Sequence, residues 1–384
     1  MNPFQFETAP RIVCQPGAIA QLGTFARNLG ISHVLLVTDA GLQQAGLTQA
    51  AVASLAAASV AVSIFSEVQA DPPEACILQA VAVGQSAAVD GVIGFGGGSS
   101  LDTAKLVALL LRTPQLLQNI YGAGLARGPR LPLIQVPTTA GTGSEVTWVS
   151  VVTTPGHEKK TVVSSLLLPD LALLDSQLTT GLPPAITAMT GIDAMVHAIE
   201  ALTTVLKRNP ISDVLALKAL QILYSNLPAA VGDGHDLVAR EQMLFGSLLA
   251  GMAFGNSSVG AVHALAYPLG GHFHIPHGLS NSLLLPHVLR FNLESAQTIY
   301  AEMGRAILPG LLATDDGHAA AAFVQAISQR VASMPYAQTL RQAGIPCSEL
   351  PLLAREAMKV QRLLDHNPRP IGYEDALAIY QAAF

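Results

Sequence analysis

At 384 residues the chain is too long for one ordinary hydrophobic core and comfortable for two. Half of it is hydrophobic, 12% is charged and the formal net charge is −6, which argues against nucleic acid as a partner, since no basic stripe is available to neutralise phosphates. Three cysteines, Cys14, Cys76 and Cys347, lie far apart without disulfide or metal-knuckle spacing, as expected of a protein in the reducing cytoplasm.

The opening MNPFQFETAPRIV lacks the basic start and apolar run of a signal peptide. HVLLVTD (33–39) reads as a buried strand, 42–57 as a helix and VAVSIF (60–65) as a second strand. The uncharged run from Ala40 to Ser66 is long enough to span a bilayer. Its alanines are broken by Gln43, Gln44, Gly46, Thr48 and Gln49, however, and it divides into that helix and strand, so no membrane span is expected. A helix over 73–87, strand GVIGF (91–95), helix over 101–111 and strand LPLIQVP (131–137) follow. Such alternation predicts a parallel sheet with helices on both faces. Strand-like runs at 146–153 and 160–164 predict an appended hairpin. DSQLTTGLPP (175–184) is a boundary, and beyond it long helical patterns dominate: 185–203, 210–231, 236–255, 257–269, 295–306 and 317–343. The expected organisation is an α/β domain over 1–180 and an all-helical domain over 181–384.

Three segments of the first half carry chemistry. In GVIGFGGGSSLDTAK (91–105), Gly96, Gly97 and Gly98 let the backbone approach a phosphate, and the amides around Ser99 and Ser100 lie at a helix N-terminus that favours an anion. This is not the usual dinucleotide fingerprint, because counting from Gly94 the third glycine is replaced by Ser99; a tight turn with a serine cap is the competing reading. Asp39, ending the first strong strand, suits ribose hydroxyls and would repel a 2′-phosphate, or it caps a helix. PTTAGTGSEVT (137–147) crowds five hydroxyl side chains and two glycines into eleven positions after another strand. Loops of this kind meet at the carboxyl edge of a parallel sheet, where α/β proteins bind ligands.

The second half carries metal-type side chains. Asp193 and His197, four apart in TGIDAMVHAIEAL, project from one helix face; His263 opens HALAYPLGGHFHIPHG and His277 nearly closes it. One carboxylate and three imidazoles suit a divalent first-row ion of the iron or zinc kind. His272 and His274 compete as ligands, and a histidine in IPHG also reads as a helix-end residue.

In this order and spacing GGGSxxDxAK, PTTAGTGSE, TGxDAxxHAIE and HALA…PHG resemble the iron-containing alcohol dehydrogenase family, a likeness that runs from TAPRIV near the start to NPRPIGYEDALAIY at the close. The resemblance implies a dehydroquinate-synthase-like fold: a Rossmann-like parallel-sheet domain, then an all-α domain, with the active site in the cleft between them. It implies that Asp193, His197, His263 and His277 bind one divalent metal, usually Fe(II) and sometimes Zn(II). It assigns Gly96, Gly97, Gly98 and Ser99 to the pyrophosphate of NAD, with Asp102 in the same motif, and Thr138, Thr139 and Thr142 to the cofactor groove. Lys159 matches a ribose-contacting lysine, with Lys160 one position out of register, and Asp39 matches the position that goes with NAD preference. Val149 and Phe254 fall where relatives line the substrate pocket.

One departure concerns proton transfer. Many relatives have a histidine four residues after the third ligand; here it is Tyr267, a poorer base with an unperturbed pKa of about 10, leaving His274 and His272 as substitutes. The implied reaction is hydride transfer between NAD(H) and a small alcohol or its carbonyl partner, in a dimer or larger homo-oligomer. Maleylacetate reductase and hydroxyacid–oxoacid transhydrogenase activities are the nearest alternatives on this scaffold. A metal- and NAD-dependent lyase, disfavoured by only 20 Lys and Arg, and a non-catalytic binder are more remote.

Overall fold

The computed structural model describes residues 3–156 and 158–384; Met1 and Asn2, the head of the N-terminal segment read above, and His157 lie outside the described residues. The chain forms two compact units, one of Glu7–Gly181 and one of Leu182–Phe384 together with the described residues 3–6, so the α/β domain expected over 1–180 begins instead at Glu7 and ends at Gly181.

The first unit runs β1 (Ile12–Cys14), α1 (Leu22–Asn28), β2 (His33–Val37), α2 (Ala40–Gln44), α3 (Thr48–Ala57), β3 (Ala61–Phe65), α4 (Glu74–Ser86), β4 (Gly91–Gly96), α5 (Gly98–Arg112), β5 (Gly122–Ala123), β6 (Leu133–Pro137), β7 (Val149–Thr153), β8 (Lys159–Val163) and β9 (Leu171–Leu174). Six strands form one sheet in the order β1-β9-β6-β4-β2-β3, and every pairing in it is parallel. The central strands β4, β6 and β9 are buried along their whole length, and in β4 and β6 this gives the largely apolar runs seen in the sequence; β3, at the edge, is half exposed. Side chains alternate between faces: Leu35, Val37, Val92 and Leu133 enter one core, and Val34, Leu36, Ile93 and Ile134 the other. The predicted hairpin is present as antiparallel β7 and β8, extended by β5 into a second sheet of three strands.

The short elements of this unit depart from the sequence reading. The helix expected over 42–57 is two helices, because Gly46 takes a left-handed φ of 74° where the chain turns between α2 and α3. Strands β1, β5 and β9 and the seven-residue α1 were not anticipated; at three, two and four residues the strands are too short to show a period, and α1 spans barely two turns.

The second unit contains α6 (Pro184–Thr203), α7 (Pro210–Gly232), α8 (Leu237–Gly255), α9 (Ala261–Phe273), α10 (His277–Asn292), α11 (Gln297–Ile307), α12 (Asp316–Ala332), α13 (Leu350–Met358), α14 (Gln361–Leu364) and α15 (Tyr373–Ala383). Both α6 and α7 are long and apolar enough to cross a membrane, but α6 is a core helix of this unit, packed by α7, α8 and α10. The helix expected over 257–269 starts only at Ala261, after Gly260, and continues past Pro268 until His274 turns left-handed. That expected over 317–343 stops at Ala332, ahead of Pro335. Helix α10 was unforeseen because Pro276 and Pro286 read as breakers; Pro276 instead occupies the N-cap, and the helix continues through Pro286.

Candidate active site

Helix α6 has three ionisable residues, Asp193, His197 and Glu200, spaced four and three apart on one stripe. His263 lies in the first turn of α9, and His277 and Asn281 lie one turn apart at the start of α10. These three helices bring Asp193, His197, His263 and His277 together, with one ligand atom from each within 4.8 Å of the others. His263 Nε2 is 3.1 Å from His197 Nε2 and 3.9 Å from Asp193 Oδ1, and His277 Nε2 is 3.8 Å from the same oxygen. Ligands about 2.0–2.1 Å from a tetrahedral ion stand roughly 3.3–3.4 Å apart, so the set has the dimensions and donor types of a first-row divalent site. Asp193, His197 and His263 are buried, whereas the His277 side chain is 30% exposed and marks the accessible side.

Two residues that the sequence reading passed over organise this set. Glu200 accepts from His263 Nδ1 at 2.6 Å and, through its other oxygen, from the Val262 amide at 2.7 Å. His263 is thereby held with its proton on Nδ1 and its Nε2 lone pair turned toward the other ligands. Asn281 donates to Asp193 Oδ1 at 2.5 Å and lies 3.2 and 3.3 Å from Nε2 of His263 and His277. Burial pushes the Asp193 carboxyl up, but the three imidazoles and Asn281 outweigh it and hold the group below its ordinary range. Asp193 and Glu200 supply two buried negative charges that a dication balances. Both missed residues had a readable signal: Glu200 continues the α6 stripe, and Asn281 follows His277 by one turn.

Around the ligands, Phe254 stacks on His197 with ring centres 4.2 Å apart and an interplanar angle of 17°. Tyr267 lies with its ring centre 6.3 Å from that of His277 and packs, with Phe254, Met358, Val360 and Ile371, against a small core of Val259, Ala264, Leu363 and Leu364. His274 and His272 lie outside the ligand set; His274 ends α9, and His272 faces Glu356 at 3.9 Å.

The loops read as nucleotide-binding belong to the first unit. Asp39, the glycine loop and PTTAGT follow β2, β4 and β6, three adjacent parallel strands, and the winding of the sheet reverses between β2 and β4. That reversal is where an open α/β sheet leaves a crevice for a ligand. The two loops touch: a Cβ at Gly98 would stand 2.7 Å from Thr142 Cγ2, and one at Gly97 3.6 Å from Thr139. Among the described residues no side chain caps the fifteen-residue α5, so its first amides remain available to an anion. Thr138 Oγ1 is buried with no hydrogen-bond partner among the described residues, while Thr142 Oγ1 accepts from the Ser144 amide at 3.2 Å. Ser99 Oγ accepts from the Asp71 amide at 3.3 Å, and Asp39 caps α2 by accepting from Leu42 N at 3.0 Å. The strand alternation of β8 turns Lys159 inward onto Asp71 Oδ1 at 2.7 Å and leaves Lys160 exposed. Asp102 faces protein donors with both oxygens, Ser144 Oγ at 2.6 Å and Val151 N at 2.8 Å. Val149 opens β7.

Residues 9–176 match the iron-containing alcohol dehydrogenase family, and residues 187–384 match the Fe-containing alcohol dehydrogenase family, C-terminal. The chain belongs to the iron-containing alcohol dehydrogenase family. It is 39% identical over 379 residues to the probable alcohol dehydrogenase EutG of Escherichia coli (strain K12), covering 98% of this chain and 94% of that protein. The crystal structure of a 1,3-propanediol oxidoreductase matches with a TM-score of 0.95 and 34% identity, covering both chains completely. The structure of sulfoacetaldehyde reductase from Bifidobacterium kashiwanohense in complex with NAD+ matches with a TM-score of 0.87 and 28% identity over 100% of this chain and 99% of that one. Membership of the iron-containing alcohol dehydrogenases makes the protein an oxidoreductase of alcohols and carbonyl compounds with a metal site in its helical unit.

Proposed function

We propose that the protein transfers hydride between a small alcohol and NAD+, or from NADH to the matching aldehyde or ketone, with Fe(II) as the native ion and Zn(II) as the alternative. The observation that carries this reading is the convergence of one carboxylate and three imidazoles from three helices, with the donor atoms within 4.8 Å of one another. Asp193, His197, His263 and His277 would hold the ion, which supplies Lewis-acid polarisation of the substrate oxygen.

The remaining work falls to the protein. Glu200 and Asn281 orient the ligands, and Phe254 walls the site by stacking on His197. Tyr267 is the hydroxyl group we assign to proton exchange with the substrate, since His274 and His272 lie at the far end of α9, outside the ligand set. On the α/β unit Gly96, Gly97, Gly98 and Ser99 would take the pyrophosphate, Thr138, Thr139 and Thr142 the groove beside it, and Lys159 the ribose. Asp39 would disfavour a 2′-phosphate, and Val149 would border the substrate. Three free cysteines, two of them exposed, support a cytoplasmic setting, and a homodimer or larger assembly is the expected state.

Protein reconstituted anaerobically with Fe(II) should form NADH from at least one class among short primary alcohols, diols and hydroxy acids. Full metal loading without turnover of any of them would remove this reading.

A further inference from the structure

One fully buried charge in the α/β unit is not part of the proposed chemistry. Lys105, two turns into α5, has no exposed surface. Its Nζ lies 2.7 Å from Val149 O, 2.8 Å from Ser144 Oγ, 3.1 Å from Thr147 Oγ1 and 3.4 Å from Asp102 Oδ1. The hydroxyl directions decide its protonation state. Ser144 Oγ donates to Asp102 Oδ1, and Thr147 Oγ1 donates to Ser144 O, so both must accept from Lys105; a carbonyl such as that of Val149 can only accept. Three acceptors require three N–H bonds, which only the ammonium provides. Burial lowers the pKa of Lys105, with Asp102 and Glu145 opposing it in part, and burial pushes the neighbouring Glu145 itself up to about 7; the three acceptors supply the hydrogen bonds that the ammonium needs out of water.

The clamp has a definite geometry. Asp102 and Lys105 stand on the helix that the glycine loop opens, and their partners Ser144, Thr147, Val149 and Val151 follow directly on the Thr138–Thr142 loop. Thr142 itself accepts from Ser144 N and packs against Gly98. We propose that Lys105 is a positioning residue for the dinucleotide: its ammonium sets the spacing between the glycine loop and the hydroxyl loop, and so the affinity of the α/β unit for NAD(H). This inference rests on the assignment of those two loops to the cofactor.

NADH titration of Lys105→Met tests it, read through energy transfer from Trp148, the single tryptophan, which lies between two of the clamp's partners. Losing a charge-assisted set of hydrogen bonds should weaken NADH binding by about tenfold or more while Zn(II) affinity stays at the wild-type value. Ser144→Ala and Thr147→Val keep the lysine and remove one acceptor each, and each should weaken NADH binding about threefold or more, whether or not Lys105→Met folds. Wild-type NADH affinity in a folded Lys105→Met, or in both acceptor variants, would overturn the proposal. Wild-type protein that fails to bind NADH would overturn the cofactor assignment and this inference with it.

Discussion

Gly278, the residue after the fourth ligand, makes the sharpest test of how packing creates the metal site. A Cβ built there would stand 2.6 Å from Met189 O, 2.9 Å from Met189 C and 3.3 Å from Met189 Cβ. Relaxed carbon–oxygen contacts are roughly 3.3 Å or longer, so Gly278→Ala demands a displacement of about 0.7 Å. The obstructing atom cannot rotate away, because Met189 lies inside α6 and its carbonyl is placed to accept from the amide of Asp193, four residues on. The strain is therefore relieved by moving the start of α10 off α6, which carries His277 and Asn281 away from Asp193. Helix propensity argues the opposite sign, since alanine in place of glycine should stabilise α10 by roughly 0.5–1 kcal/mol. Overpacking costs about 1–3 kcal/mol, so the clash should win and lower the melting temperature. A ligand set that tolerates only about 0.2 Å should lose roughly 10- to 100-fold in Zn(II) affinity. Chelator competition and thermal melts of Gly278→Ala, beside Gly310→Ala where a Cβ meets nothing within 4 Å, measure both effects. Folded Gly278→Ala with wild-type Zn(II) affinity would refute the argument that this contact sets the ligand spacing.

Glu200→Gln should weaken Zn(II) binding by about 10- to 100-fold, because an amide cannot accept from both His263 Nδ1 and the Val262 amide through two oxygens; His263→Ala should abolish metal loading and activity together while leaving NADH binding intact, and a fully loaded, active variant would remove it from the ligand set. Asp39→Gly should relax discrimination against NADPH, read as the ratio of the two dissociation constants; an unchanged ratio would move that selection to another residue. Burial, helped by Arg290, depresses the pKa of His287 to about 4, so the folded protein stays neutral there while the unfolded chain protonates near 6.5. Its contribution to stability is thus complete above about pH 6.5 and is lost as the pH falls toward 4, and urea midpoints of His287→Asn should decline less over that interval than those of the wild type.

What the sequence disclosed, and what it did not, follows from where each signal lies. Strands β2, β4 and β6 were legible because burial on both faces makes them largely apolar runs, and the loops after them stood out because glycine and threonine accumulate there. Asp193 and His197 were legible as a pair because both lie on one helix. The partnership of Glu200 with His263 spans 63 residues, and that of Lys105 with Ser144 spans 39, so no local spacing announces either one. Asp102 and Lys105, three apart on α5, look in sequence like a surface ion pair; the fold buries the lysine completely. A criterion follows that spacing alone misses. In α6 all three ionisable residues among twenty belong to the metal site, and in α5 the two that precede Arg112 at the helix end form the clamp. A charged group inside an otherwise apolar helix must find its partner within the fold or destabilise it, so residues of this kind mark where one element will meet another.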